Sequence, residues 1–332
     1  MKRTGNLIER ICDIDNLFLA FYKAKKGKSA KKSVIQFEAH LDDNLMKIKA
    51  ELLSGKPYFG EYNFFKIYDP KERLICSTSF RERVMHHAVL NICHEYFERH
   101  LIYHTYATRP GKGVDEAVSF ARKAIRKYHY AVKMDVKKYY DSINHSILKE
   151  RLSRLFKDRC LLSVLSALID SFSTETGYGL PKGTLTSQYF ANYYLSGYDH
   201  MVLEHKLAPV YLRYMDDMLM FTNSKEDAVK AESITRSYLY SNLGLTLNPS
   251  VITPTACGIS FLGFRLYPHA IFLARKGKKR LKKKMFLYMR NLENAVWTEK
   301  EYYEHITPLL SFAKKAYSKK LRRKYIADME AG

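Results

Sequence analysis

Cysteine is scarce in this 332-residue chain. The five present (Cys12, Cys76, Cys93, Cys160 and Cys257) are odd in number and widely spaced. No two have zinc-ligand spacing and no disulfide framework emerges, so they are read as buried thiols in a reducing cytosol. Long apolar runs are missing too. The longest, Leu161 to Ile169, is too short to cross a bilayer and is broken by Ser163 and Ser166. No apolar segment follows the charges of Met1-Lys-Arg-Thr-Gly-Asn6, which argues against a secretory signal and for a cytoplasmic chain. Internal repeats are absent. His86, His87 and His94 lie in one long helical pattern and are read as packing and surface residues rather than ligands.

Negative charge is short as well. Lys and Arg number 56 against 34 Asp and Glu, a formal net charge of +22. So large an excess repels itself unless a polyanion is near, and nucleic acid is the first candidate partner. A membrane surface is the second, but nothing in the sequence provides a means of insertion. With 46% hydrophobic residues the chain has material for a substantial core and about two domains.

The apolar spacing from Asn6 to Tyr22 predicts a helix. A linker with six lysines follows from Lys23 to Lys32, then a second helix from Ser33 to Leu53, ended by Ser54-Gly55-Lys56-Pro57. Tyr62 to Tyr68 alternates like a strand, with Leu74 to Cys76 as its hairpin partner across Asp69-Pro70-Lys71, and Phe80 to Tyr103 is a long helix. A short strand, Tyr130 to Val136, carries Asp135 at its end. Helices follow at Ser146–Phe156, Leu161–Phe172 and Thr184–Leu203, the last opened by Pro181-Lys182-Gly183. Val210–Tyr214 and Met218–Thr222 are strands around an acidic turn, and Ala228–Leu243 is helical. Ser260–Tyr267 and Ile271–Ala274 form a hairpin, and the rest is helical and basic. Strands and helices mixed in this order indicate an α+β core with a helical appendage.

Tyr211-Leu-Arg-Tyr-Met-Asp-Asp-Met-Leu-Met-Phe221 carries the most chemistry. Two adjacent aspartates at a hairpin tip repel each other, and divalent cations relieve that repulsion. Mg²⁺ takes oxygen ligands, often one or two carboxylates plus substrate phosphates. Asp135, 81 residues upstream of Asp216 and also at a strand end, is the candidate third acid. Such a set supports a two-metal displacement. An Asp-Asp pair alone would pass for an ordinary turn; the Tyr-Met before it and the distant Asp135 weigh against that.

At these residues the chain resembles reverse transcriptases. Tyr214-Met-Asp-Asp217 is similar to their palm motif, and Asp135-Val-Lys-Lys-Tyr-Tyr140-Asp-Ser-Ile to their first catalytic motif. Leu180-Pro-Lys-Gly183 followed by Ser187 resembles the nucleotide-pocket motif. Asn242-Leu-Gly-Leu-Thr-Leu-Asn-Pro249 and Phe261-Leu-Gly-Phe264 resemble the palm motifs that follow. Upstream, Phe80-Arg-Glu-Arg-Val-Met-His-His and Tyr106-Ala-Thr-Arg-Pro-Gly-Lys-Gly113 are similar to the fingers of group II intron-like enzymes. The ordered match covers roughly residues 60 to 272.

The resemblance implies a right-hand polymerase: an N-terminal helical extension (1–58), fingers (59–134), a palm with an antiparallel sheet (135–272, with a helical excursion at about 146–183) and a basic helical thumb (273–332). It implies two Mg²⁺ ions, with Mn²⁺ able to substitute, held by Asp135, the Val136 carbonyl, Asp216 and Asp217. Tyr140 resembles the gate that rejects a ribose 2′-OH, with neighbouring Tyr139 as the alternative. Arg73 resembles the triphosphate-holding arginine, assisted by Lys66; a bidentate guanidinium suits that task. Lys182 is assigned to the incoming nucleotide or the primer–template, or else to solvent. Gly183 is read as permitting close backbone approach to a ligand, and Gln188 as shaping the pocket or continuing the helix.

The Lys182-Gly183 pair in place of Gln-Gly, and the Ser187-Gln188 ending, resemble the enzymes of diversity-generating retroelements of bacteria and phages. So do Asn16-Leu17, Phe37-Glu38 and Asn44-Leu45. That subtype implies a template RNA, cDNA mutated at adenines and a small basic accessory protein. A retron or phage-defence reverse transcriptase, or a non-catalytic RNA-binding relative, are the rivals. Val251 stands where many relatives follow Asn-Pro with a lysine, so no acid is assigned for the pyrophosphate. In the C-terminal region Arg275, Lys276, Lys278, Lys279, Arg280, Lys282, Lys283 and Lys284 alternate with Leu281, Met285 and Phe286. One helical face packs while the other tracks the phosphates of an RNA/cDNA duplex, with salt-sensitive, sequence-independent affinity. Some of the 26 tyrosines offer stacking surfaces for unpaired bases.

Overall fold

The computed structural model describes residues 4–68 and 72–330, so the turn expected at Asp69-Pro70-Lys71 lies outside the described residues. Four helices open the chain: α1 (Ile8–Ile11), α2 (Ile14–Lys25), α3 (Lys32–Ala39) and α4 (Leu41–Leu53). Each of the two long helices expected here is divided. The first breaks at Asp13, which leaves the helical region (φ −58°, ψ 137°) and accepts the Asp15 N–H at 2.9 Å, capping a new helix. The second breaks at His40 (φ −128°, ψ 45°). Apolar periodicity runs through both breaks, because Ile11, Leu17, Phe21, Leu45, Ile48 and Leu52 all enter one core. Asn16 is buried there as a clamp, its amide donating to the carbonyls of Ile11 (2.8 Å) and Ala88 (3.1 Å).

Strands β1 (Tyr62–Ile67) and β2 (Arg73–Thr78) form an antiparallel hairpin, and Ser79 caps the long α5 (Phe80–His100). Helix α6 (Val114–Lys127) was not anticipated. Its buried side is largely alanine (Ala117, Ala121, Ala124), which blurs an apolar pattern. Then come β3 (Tyr130–Met134), a short 3₁₀ turn (Tyr139–Ser142), α7 (His145–Leu155), α8 (Arg159–Asp170), α9 (Leu185–Tyr194) and α10 (Ser196–Glu204). The last two were expected as one helix and part at Leu195. Strands β4 (Val210–Tyr214) and β5 (Asp217–Thr222) precede α11 (Lys225–Leu243), β6 (Val251–Pro254), β7 (Ile259–Phe261), β8 (Phe264–Leu266) and β9 (Ile271–Leu273). Helices α12 (Arg275–Glu293), α13 (Glu299–Lys314) and α14 (Lys319–Glu330) end the chain.

An antiparallel sheet in the order β4-β5-β3-β6 forms the centre. Successive strand residues face opposite sides. Val132, Tyr211, Met218 and Met220 enter the core shared with the N-terminal helices and α9. Ala131, Leu212, Leu219 and Phe221 enter a second core with α6 and the C-terminal helices. The expected C-terminal hairpin is a separate three-stranded sheet, β7-β8-β9, packed into that second core. Among the described residues no helix is long and apolar enough to cross a membrane. All five cysteines are free; Cys257 is exposed and Cys160 half-buried, which corrects the expectation of five buried thiols.

Candidate active site

Strand register assembles the acids. Tyr214 pairs with Asp217, leaving Met215 and Asp216 as the turn between β4 and β5. On the other side of β5, Met134 pairs with Met218, so the next step along β3 brings Asp135 beside the turn. Met215 is held at φ +56°, a left-handed conformation uncommon for a residue with a side chain.

The electrostatics report the crowding. Burial pushes the Asp216 carboxyl up to about 6, and the neighbouring charges of Asp217 and Asp135 add to the rise, while Arg73 opposes it. The guanidinium at the start of β2 is therefore within electrostatic reach of Asp216. Burial also raises Asp217, countered by Lys133, whose Nζ lies 3.3 Å from Asp217 Oδ1. Asp135 is held from the far side. Asn248 donates its side-chain amide to Asp135 Oδ2 (2.7 Å) and its backbone N–H to the Asp135 carbonyl (3.0 Å). Val136 bridges Leu247 through the Asp135 carbonyl and the Lys137 N–H, so its own carbonyl is turned away from that partner.

The donor set is all oxygen, which suits Mg²⁺. Among the described residues no three His, Cys, Asp or Glu side chains are grouped closely enough to hold an ion unaided. By donor chemistry alone the carboxylates suit Mg²⁺, which usually takes one or two carboxylates together with substrate phosphates.

The two tyrosines separate clearly. Tyr139 is buried and donates its hydroxyl to the Ala191 carbonyl. Tyr140 is half-buried, with its hydroxyl 4.0 Å from Met215 Sδ and Asp216's charge acting on it. Tyr140 faces the acid turn; Tyr139 belongs to the core.

The pocket loop packs against the β1–β2 hairpin. Gly183 sits at φ +122°, and a Cβ there would lie 2.4 Å from the Cys76 carbonyl oxygen and 2.9 Å from Ile75 Cγ2. The close approach that the structure shows at Gly183 is to β2. The Lys182 carbonyl accepts the Cys76 N–H at 2.7 Å, which fastens the loop to the hairpin. The Lys182 ammonium lies 2.7 Å from Asp141 Oδ2, an intramolecular partner that the sequence reading did not foresee. Gln188 Oε1 receives a long 3.5 Å contact from Thr108 Oγ1. Lys66 pairs with Glu72 at 2.7 Å on the exposed hairpin.

The basic run lies on α12, with Leu281 and Met285 buried beneath it. Arg275, Lys278, Lys279, Lys282 and Lys283, with Phe286 and Tyr325, line a cleft of about 460 Å³. Lys282 lies 5.4 Å from the Phe286 ring centroid and 5.7 Å from that of Tyr325, and 3.4 Å from Asp328 Oδ2. Lys276, Arg280 and Lys284 belong to the same helix.

Missed in the sequence were Asn248, Lys133 and the buried Arg213–Asp199 pair. A charged residue between Leu212 and Tyr214 in a core strand was the available signal for Arg213.

An antiparallel sheet with an acid turn, a third acid beside it and a basic helical end defines the right-hand polymerase class. A family profile described as reverse transcriptase (RNA-dependent DNA polymerase) matches residues 68–266, well over half of the chain. This chain belongs to that family. It is similar to Protein YkfC of Escherichia coli (strain K12), 22% identical over 280 residues, covering 69% of this chain and 72% of that protein. A putative COX1/OXI3 intron 1 protein of Saccharomyces cerevisiae (strain ATCC 204508 / S288c) is 22% identical over 213 residues, 60% of this chain. Our chain spans only 26% of that intron protein. Among solved structures, apo telomerase from Candida tropicalis truncated from its C-terminal domain superposes with a TM-score of 0.50 at 16% identity, covering 65% of this chain and 55% of that one. That likeness bears on the fold alone.

Proposed function

We propose that this chain copies an RNA template into cDNA, a primer 3′-OH attacking the α-phosphate of a dNTP with release of pyrophosphate. The observation that carries the reading is the strand register that sets Asp135 beside Asp216 and Asp217. Mere RNA binding is poorly served by three mutually repelling anions in a basic protein. Asp135, Asp216 and Asp217, with the Val136 carbonyl, would hold two Mg²⁺ ions, or Mn²⁺. When bound, such ions supply activation of the attacking hydroxyl and stabilisation of the leaving oxygen. Arg73, on the hairpin above, meets the triphosphate, and Tyr140 closes the space beside the sugar. The basic face of α12 tracks the duplex backbone. Residues 1–58, 59–134, 135–272 and 273–332 then serve as extension, fingers, palm and thumb.

Within the family, we read the chain as a retroelement enzyme that errs at template adenines and works in the cytoplasm of a bacterium with a small basic accessory protein. The support is the Lys182-Gly183 and Ser187-Gln188 pattern and the N-terminal residues quoted above. Lys182, tied to Asp141, offers only donors and lacks the hydrogen-bonding versatility of glutamine. The experiment is RNA-templated primer extension with sequencing of the cDNA, for the native chain and Lys182→Gln. Extension with errors concentrated opposite adenine, and fewer in the variant, supports both readings. Extension with evenly spread errors removes the retroelement reading, and no extension removes the polymerase.

A further inference from the structure

We propose that Arg213 is a positioning residue that holds the acid turn in its working geometry, an inference that rests on the polymerase reading above. Arg213 lies in β4, three residues before Asp216, and its side chain is 0% exposed. A guanidinium removed from water is tolerated only when its donors are satisfied. All five are. Nε donates to Asp199 Oδ1 (2.8 Å), and Nη2 to Asp199 Oδ2 and to the Asn192 carbonyl (3.1 Å). Nη1 donates to Asn192 Oδ1 (2.8 Å) and to the carbonyl of Met215 (2.9 Å).

The last bond is the informative one. A core ion pair needs only the Asp199 side. The bond to Met215 reaches into the turn, to the residue whose backbone is left-handed at φ +56°. A strained residue keeps such a conformation when its surroundings over-determine it, and Arg213 supplies the fixed point. Asp199 is braced in turn by the Tyr211 hydroxyl (2.7 Å), and Asn192 by its own bond to the Ala107 carbonyl (2.9 Å). The backbone of Arg213 also pairs with the preceding segment: its N–H donates to His104, and Tyr106 donates to its carbonyl, both at 3.0 Å. One buried side chain therefore joins α9, which begins two residues after Gly183, to the tip that carries Asp216 and Asp217. A lysine would keep the charge but lose the planar fork.

The test compares the native chain with Arg213→Lys and with the double variant Arg213→Met/Asp199→Asn. The double variant removes both buried charges while leaving Tyr211 an acceptor. Thermal unfolding and RNA affinity report the fold. Primer extension reports kcat, the KM for dNTP and the half-saturating Mg²⁺, and electron paramagnetic resonance reports Mn²⁺ affinity without turnover. Both variants are expected to fold and bind RNA, with KM near native, kcat lowered about 100-fold, and weaker affinity for Mg²⁺ and Mn²⁺. Native kcat and native Mn²⁺ affinity in the folded double variant would overturn the proposal. So would losses in Arg213→Lys that merely follow its folded fraction. If the native chain itself extends no primer, the polymerase reading has failed, and the Mn²⁺ affinities still decide the role of Arg213.

Discussion

Asn248 holds Asp135 twice, by its side-chain amide to Oδ2 at 2.7 Å and by its backbone N–H to the carbonyl at 3.0 Å. The pairing spans 113 residues and fixes the acid just beyond the end of β3. A hydrogen bond to a charged group contributes about 1.5–3 kcal/mol. Asn248→Ala is therefore expected to lower the single-turnover incorporation rate about ten- to a hundredfold. Asn248→Asp adds a fourth anion and should be worse still. A native rate in the alanine variant would show that Asp135 needs no such tether.

Asp216 makes the metal-free chain sensitive to pH. Its carboxyl is raised to about 6 in the fold, against about 3.9 in an unfolded chain. A raised folded pKa contributes stability that is fully present below about pH 4 and lost as pH rises through about 6. Above that, the metal-free protein carries the repulsion in full. Asp216→Asn should then be more stable than the native chain at pH 8 in EDTA, by on the order of 1 kcal/mol. At pH 4 the two should coincide. Added Mg²⁺ should stabilise the native chain more than the variant. Urea midpoints at both pH values, with and without Mg²⁺, provide the check.

The two adjacent tyrosines should behave differently. Tyr140→Ala opens the space beside the acid turn and is expected to raise use of rNTPs relative to dNTPs. Tyr139→Ala empties a core position instead and should cost about 3 kcal/mol of stability. An unchanged rNTP/dNTP ratio in an active Tyr140→Ala enzyme would remove the gate.

How much of this was legible in the sequence depends on the range of the interaction. The acid turn and Asp135 announced themselves because each sits at the end of a short apolar strand. The two breaks in the N-terminal helices did not, because the residues on either side bury into the same core. Helix α6 was hidden by its alanines. The contact of Gly183 with β2, more than 100 residues earlier in the chain, was not readable from its local motif. Arg213 could not be matched with Asp199, since nothing local links a strand to the helix before it. Lys182 was similarly readable as a charge but not as the partner of Asp141.

The basic helix should dominate RNA affinity. Replacing Lys278, Lys279, Lys282 and Lys283 with glutamine should weaken binding to any RNA sequence. The slope of log affinity against log salt should flatten by about 0.7–0.9 for each phosphate no longer neutralised. An unaltered slope would place the RNA elsewhere on the protein.

Primer extension on an RNA template by Asp216→Asn, read beside its RNA affinity, tests the central claim most directly. The account predicts that incorporation disappears while RNA binding stays close to native, because the acids serve the chemistry and α12 serves the grip. Near-native incorporation by Asp216→Asn would contradict it.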